Sequence, residues 1–112
     1  MINAADKAKW LEELRSGNHR QVKERLKGYT DDGEVGLCCL GVLEEKVFGN
    51  EQEIYPMSDD ECHIPDERMR TYTILREKLG EVEVSLVSNY NDSGWTFAEI
   101  ADWIEENVDA TT

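Results

Sequence analysis

Cys38 and Cys39 stand side by side in the apolar run GLCCLGVL (36–43). A thiol becomes a nucleophile or a metal ligand where a cation or a helix N-terminus lowers its pKa. Here the flanking residues are Leu37 and Leu40 and there is no C-x-x-C, so buried structural thiols are favoured over a reactive pair. A second cluster joins Asp59, Asp60 and Glu61 to Cys62 and His63. It lacks the C-x-x-C or H-x-x-x-H spacing of zinc sites and the D-x-D-x-D-G loop of calcium sites, so neither a metal nor any other cofactor is expected. A third group, Asn89, Asn91, Asp92, Ser93 and Gly94, has the residue types that a turn between helices demands. Arg20, Arg25, Arg68, Arg70 and Arg76 could cradle a phosphate-bearing ligand if they converge. Arg68, Arg70, Tyr72 and Arg76 are the candidate ligand-binding set. No P-loop, dinucleotide-binding glycine pattern or nucleophile elbow is present. The histidines are His19 and His63 alone, which leaves a catalytic triad little to work with, and no catalytic residue is assigned.

The elements that would position these residues must come from 112 residues, a length suited to one domain spanning 1–112. Hydrophobic residues make up 39% of the chain, low for a globular protein but above the disordered class. The N-terminal segment 4–15 has Asn3 as N-cap, Asp6 in the first turn, and Trp10, Leu11 and Leu14 at helical spacing, ending at Ser16-Gly17. It should bury Leu11 and Leu14, with Trp10 or Ala8 beside them. Residues 18–37 read either as a short helix or as a ribbon. The turn chemistry of Asp32-Gly33 tips the balance to strands at roughly 22–28 and 34–38. Spacings of three and four among Cys39, Val42, Leu43 and Val47 predict a buried helix over 38–48. Gly41 inside it would cost about 1 kcal/mol against Ala, unless another backbone packs close to it.

Residues 50–64 form a polar connection. Pro65 and the positions of Met69, Tyr72, Leu75 and Leu79 predict a helix over 66–79. Val82, Leu86, Val87 and Tyr90 predict another over 82–90. The last third reads most clearly. Thr96 and Glu99 form a capping box, Trp95 and Ile100 take staple positions, and Phe97, Ile100, Ala101 and Ile104 make one apolar stripe. The tail DATT (109–112) should fray. The expected fold is therefore mainly α (α+β): four to five helices with a short hairpin around 22–38.

Charge narrows the partners. The chain has 25 acids against 12 Lys and Arg, a net charge of −13. That excludes non-specific attraction to DNA, RNA or anionic membrane and favours cationic partners or mimicry of a polyanion. Residues 1–30 hold seven bases, whereas 80–112 hold eight acids and no Lys or Arg. TFAEIADWI has the look of the first helix of a DNA-binding pair, but no basic recognition helix follows it. Asp59, Asp60, Glu61, Asp102, Glu105 and Glu106 are the candidate protein-interaction residues. An odd count of three Cys, the absence of a signal peptide and the lack of a long apolar stretch place the chain in the cytoplasm, off the membrane. The apolar helix 38–48 could serve a homo-oligomer as readily as a core.

Three motifs occur together: RSGNHRQVKERLKG, GLCCLGVLEEKV and NDSGWTFAEIADWIEE. In this combination the chain resembles a family of small uncharacterised proteins carried by tailed phages and prophages. The matching positions are Trp10–Gln21, Cys38–Leu43 and Asn91–Glu105, and only 49–80 has no counterpart. The resemblance implies an accessory phage protein working in the host cytoplasm rather than a virion part, and it carries no catalytic residue with it. Together with the charge, it points to an acidic module that binds a host protein, with inhibition of a defence system as its use. A sponge protein that sequesters a nucleotide or another small ligand is the alternative, and a small enzyme comes third.

Overall fold

The computed structural model describes residues 2–23, 26–49, 73 and 75–111. In chain order its elements are β1 (Ile2–Asn3), α1 (Ala4–Arg15), β2 (Lys27–Tyr29), β3 (Val35–Leu37), α2 (Cys39–Val42), a π-helical turn (Leu43–Val47), α3 (Glu81–Asp92), α4 (Phe97–Asn107) and β4 (Ala110–Thr111). Residues 73 and 75–79 are also helical. The fold is α+β, with helices predominating among the described residues.

Helix α1 begins and ends where its capping residues put it. The Asn3 side chain accepts from the Asp6 amide at 2.8 Å, and the amide of Ser16 closes back on the Glu13 carbonyl. The buried residues of α1 are Trp10 and Leu14. Leu11 is only half-buried and Ala8 is exposed, so the indole takes the place in the core expected for Leu11. It does so because its Nε1 donates to the Cys39 carbonyl at 2.9 Å, which lets a Trp be fully buried without an unpaired donor.

The ribbon forms, but shifted. Lys27 pairs with Leu37, Gly28 with Gly36 and Tyr29 with Val35, antiparallel. The turn closes through Thr30 and Glu34, with Gly33 at φ 83. The predicted first strand at 22–28 therefore lies too early. Residues 20–22 instead run along the other edge of β3, where Gln21 bridges Leu37 in parallel and the Leu37 amide donates to the Arg20 carbonyl at 2.8 Å. Val22 and Leu26 are both buried. Alternation around the charges of this stretch suggested a strand, whereas the chain passes the core edge twice and buries one apolar residue at each pass.

The predicted helix over 38–48 is present in two parts. Cys38 caps its start, with Sγ accepting from the Gly41 amide at 3.4 Å. From Leu43 the hydrogen bonding widens to a π turn, a form that recurs at functional sites. Everything from Cys38 through Glu45 is buried, so this segment is covered all round rather than on one stripe. Gly41 is the reason that it can be. A Cβ at Gly41 would sit 2.1 Å from the Leu26 carbonyl oxygen, so the close backbone neighbour expected there is the loop ahead of β2.

Helix α4 packs chiefly on α1, and α2 on α3. Their shared core includes Ile2, Leu40, Leu43, Leu75, Val87, Ile100 and Ile104, each at most 2% exposed. Lys78 lies over the Phe48 ring at 4.3 Å, fastening the helical residues 75–79 to the end of the π turn. The tail corrects another expectation. Ala110 and Thr111 pair in parallel with Ile2 and Asn3, and Val108 is 2% exposed. Lys7 Nζ donates to the Val108 carbonyl at 2.5 Å and to that of Glu105 at 3.3 Å. The tail is held because a cation meets the carbonyl end of α4, where the helix dipole favours it.

Candidate functional site

The three sequence motifs meet at one buried side chain. Asn91, in the last turn of α3, is fully buried. Its Nδ2 donates to the Val22 carbonyl at 2.8 Å. Its Oδ1 accepts from the Cys39 amide at 3.2 Å and from Gln21 Nε2 at 3.0 Å. Gln21 Nε2 also donates to the Trp95 carbonyl at 2.6 Å. A buried amide that finds partners for donor and acceptor alike makes a rigid joint. The polar group at 89–94 therefore has a structural role, and Asn91 is more than a turn residue. Ser93 caps α3 and Gly94, at φ 100, turns the chain into α4.

The thiols have the wrong environment for nucleophiles. Cys38 is buried and its pKa is pushed up to about 11 by desolvation. Burial likewise pushes Cys39 well up, and the neighbouring Cys38 adds to it. The Cys39 thiol donates to the Val87 carbonyl at 3.5 Å. Both stay protonated at neutral pH and act as small core residues.

Helices α3 and α4 build the acidic surface. Thr96 caps α4, its hydroxyl accepting from the Glu99 amide at 3.2 Å while Glu99 Oε1 accepts from the Thr96 amide at 3.0 Å. This box sets where α4 starts and hence which way each carboxylate points. Glu99, Asp102, Glu105 and Glu106 are exposed, as are Glu81 and Asp92 on α3 and Asp109 beyond α4. The outward face of α4 divides into two. On the side toward α1, Arg15 Nη2 reaches Asp102 at 2.8 Å and Glu105 at 3.1 Å, and these hydrogen bonds raise the guanidinium pKa. On the side toward α3, Glu99, Trp103 and Glu106 follow one another at helical spacing. Among the described residues Glu106 makes no ion pair. Half-buried aromatics border this second strip. Tyr90 stacks on Trp95 with centroids 4.1 Å apart, and Trp103 meets Tyr90 edge-on at 5.3 Å.

Of the candidate interaction residues, Asp102, Glu105 and Glu106 thus share one helix face, and the first two are already engaged with Arg15. Asp59, Asp60 and Glu61 lie outside the described residues, as do Arg68, Arg70 and Tyr72. Arg76 is exposed among the helical residues 75–79. Cys62 and His63 also lie outside them, and among the described residues no group of three or more His, Cys, Asp and Glu could hold a metal ion.

Two close side-chain pairs were not foreseen. His19 Nε2 is 2.6 Å from Glu13 Oε2. Lys27 Nζ is 2.7 Å from Glu45 Oε1, with both side chains largely buried. Each joins residues from separate segments, so no local pattern marks them.

The model of a domain of unknown function, DUF8296, matches residues 2–108. The chain belongs to this family. The DUF8296 match runs through all three motifs and through the Asn91 joint that ties them together. No curated protein matches the chain, and no solved structure does. No described helix of this DUF8296 member is long and apolar enough to cross a membrane.

Proposed function

We propose that this chain is a phage-encoded accessory protein that acts as an acidic binding module on a basic face of a host protein in the host cytoplasm, with inhibition of a defence factor as its use. The observation that carries the reading is the strip Glu99, Trp103 and Glu106 on α4, where carboxylates flank a half-buried indole. Binding hot spots are enriched in Trp, Tyr and Arg and sit where water can be excluded. Here Trp103, Trp95 and Tyr90 supply aromatic area already held in place, and the acids around them supply long-range attraction for a cationic partner. The opposite strip, quenched by Arg15, serves the fold. The phage origin rests on the motif resemblance.

The test is capture of host proteins on immobilised wild-type chain, compared with Glu106→Lys combined with Asp109→Lys. Both positions are exposed, so the variant keeps its fold. A specific partner should be retained by the wild type, lost from the variant, and released as salt rises, since exposed charges are screened beyond about 8 Å at physiological ionic strength. A partner held equally by both proteins and at every salt concentration overturns the reading.

A further inference from the structure

A cleft of about 320 Å³ opens on a different part of the molecule from the acidic strip. One wall is residues 18–20, the floor is Glu34 with β3, and the other wall is Lys27 with Glu45 and Lys46 of the π turn. Its volume falls at the low end of the range of about 300–1,000 Å³ for small-molecule sites. Two independent features mark it.

The first is charge. In a chain of net charge −13, this cleft is lined by three cations, Arg20, Lys27 and Lys46, against two carboxylates, Glu34 and Glu45. Lys27 is committed to Glu45 at 2.7 Å. That contact holds the Glu45 carboxylate so that its other oxygen stays 3.7 Å from Lys46, leaving the Lys46 ammonium loosely engaged. Arg20 is more than half exposed and uses one nitrogen, Nη1, on Asp32. Its remaining guanidinium donors have no partner among the described residues. Two cationic groups with spare donors, one on each wall, suit a compact anion such as a phosphate.

The second is apolar. Among the described residues the large hydrophobic side chains left exposed are Tyr29, Val35 and Val82. Two of them, Tyr29 and Val35, are a directly paired couple across the ribbon. Strand alternation puts them on the same face as Lys27 and Leu37, the face that floors the cleft. Gly28 and Gly36 take the opposite face, where a Cβ at Gly36 would lie 2.7 Å from Val22 Cγ1. The ribbon meets Val22 on its glycine side and sends Leu37 into the core at one end of its other face, while at the turn end of that face Val35, which lines the cleft, and its partner Tyr29 stay exposed.

We propose that this cleft binds a nucleoside phosphate, with the phosphate between Arg20 and Lys46 and the base on the Tyr29–Val35 face. A flat heterocycle fits an exposed phenol ring on a rigid ribbon because every base has a π face to stack. The volume admits one nucleotide rather than a strand. The site is independent of the acidic strip and does not use Arg68, Arg70, Tyr72 or Arg76.

The test is calorimetric titration of the full chain with the four ribonucleoside monophosphates, with inorganic phosphate as reference, on the wild type and on Tyr29→Ala and Lys46→Ala. Both side chains are exposed enough to be removed without loss of fold, which urea midpoints verify. At least one nucleotide should bind saturably and more tightly than phosphate, and each substitution should weaken it roughly tenfold, the scale of one stacking or charged contact. No binding by any nucleotide, binding no tighter than phosphate, or binding unchanged in both variants overturns the proposal.

Discussion

Asn91 Nδ2 donates to the Val22 carbonyl at 2.8 Å, across a separation of 69 residues. Replacing Asn91 by Ala would leave that carbonyl, the Cys39 amide and one Gln21 contact without their partner in a fully buried place. A buried polar group stripped of its partner costs about 1–3 kcal/mol. Asn91→Ala should therefore rank among the most destabilising polar substitutions in the chain, and Asn91→Asp should not rescue it, because a carboxylate cannot donate to Val22. Chemical denaturation midpoints at constant slope check both.

Gly41→Ala sets two effects against each other. Ala gains about 1 kcal/mol of helix propensity. Its Cβ would meet the Leu26 carbonyl oxygen at 2.1 Å, and overpacking of a tight core costs about 1–3 kcal/mol or more. The neighbour is backbone and cannot swing aside, so the clash wins. A lower melting temperature is expected, and an equal or higher one would mean that the Leu26 loop moves freely.

Lys27→Met should be far worse than Arg15→Met. Lys27 and Glu45 form a largely buried pair, and breaking such a pair by removing one partner costs about 3–5 kcal/mol because the other charge stays buried. Asp102 and Glu105 remain well exposed, so losing Arg15 should cost under about 1 kcal/mol, and less in high salt. Melting curves at low and high salt separate the two.

The thiols predict an alkaline loss of stability. Cys38 has a folded-state pKa of about 11, against an ordinary value of 9.0, through burial, and Cys39 is shifted the same way. Between these values the unfolded chain loses its thiol protons while the folded chain keeps them. The unfolded state then binds fewer protons, so stability falls as pH rises. Below pH 9 this contribution is constant. In a Cys62→Ser background, a thiol-reactive disulfide reagent should label nothing at pH 8 until denaturant is added, and rapid labelling of the native protein would contradict the burial.

Local signals carried much of this fold. The Asn3 cap, the Thr96–Glu99 box and the apolar stripe of Phe97, Ile100, Ala101 and Ile104 all act within one or two helical turns, so the start of α1 and both the start and the buried face of α4 were legible, whereas the exchange of Leu11 for Trp10 in the core was not. Gly41 was legible as a close approach, although its partner, Leu26, was not. What escaped depends on distant chain. The π turn carries two buried acids, Glu44 and Glu45, and Lys27 of strand β2 reaches Glu45 across a gap of 18 residues. The tail pairs because Ile2 is beside it. The acidic face was plain from composition, but its division by Arg15 required knowing that α1 lies against α4. The cleft was invisible because Arg20, the Tyr29–Val35 hairpin and Lys46 of the π turn meet only in the folded chain. Expectations for Asp59–Glu61, Arg68, Arg70 and Tyr72 fall outside the described residues.

The parallel pairing of Ile2 and Asn3 with Ala110 and Thr111 has a mechanical meaning. Traction applied to the two ends would draw these strands past each other lengthwise, so their hydrogen bonds would yield together rather than unzip one by one. Lys7, gripping the Val108 carbonyl from α1, lies directly behind that clamp. Tension reaching the acidic helix from either end must first overcome this closure, and a tether at one terminus would leave the strip on α4 undisturbed.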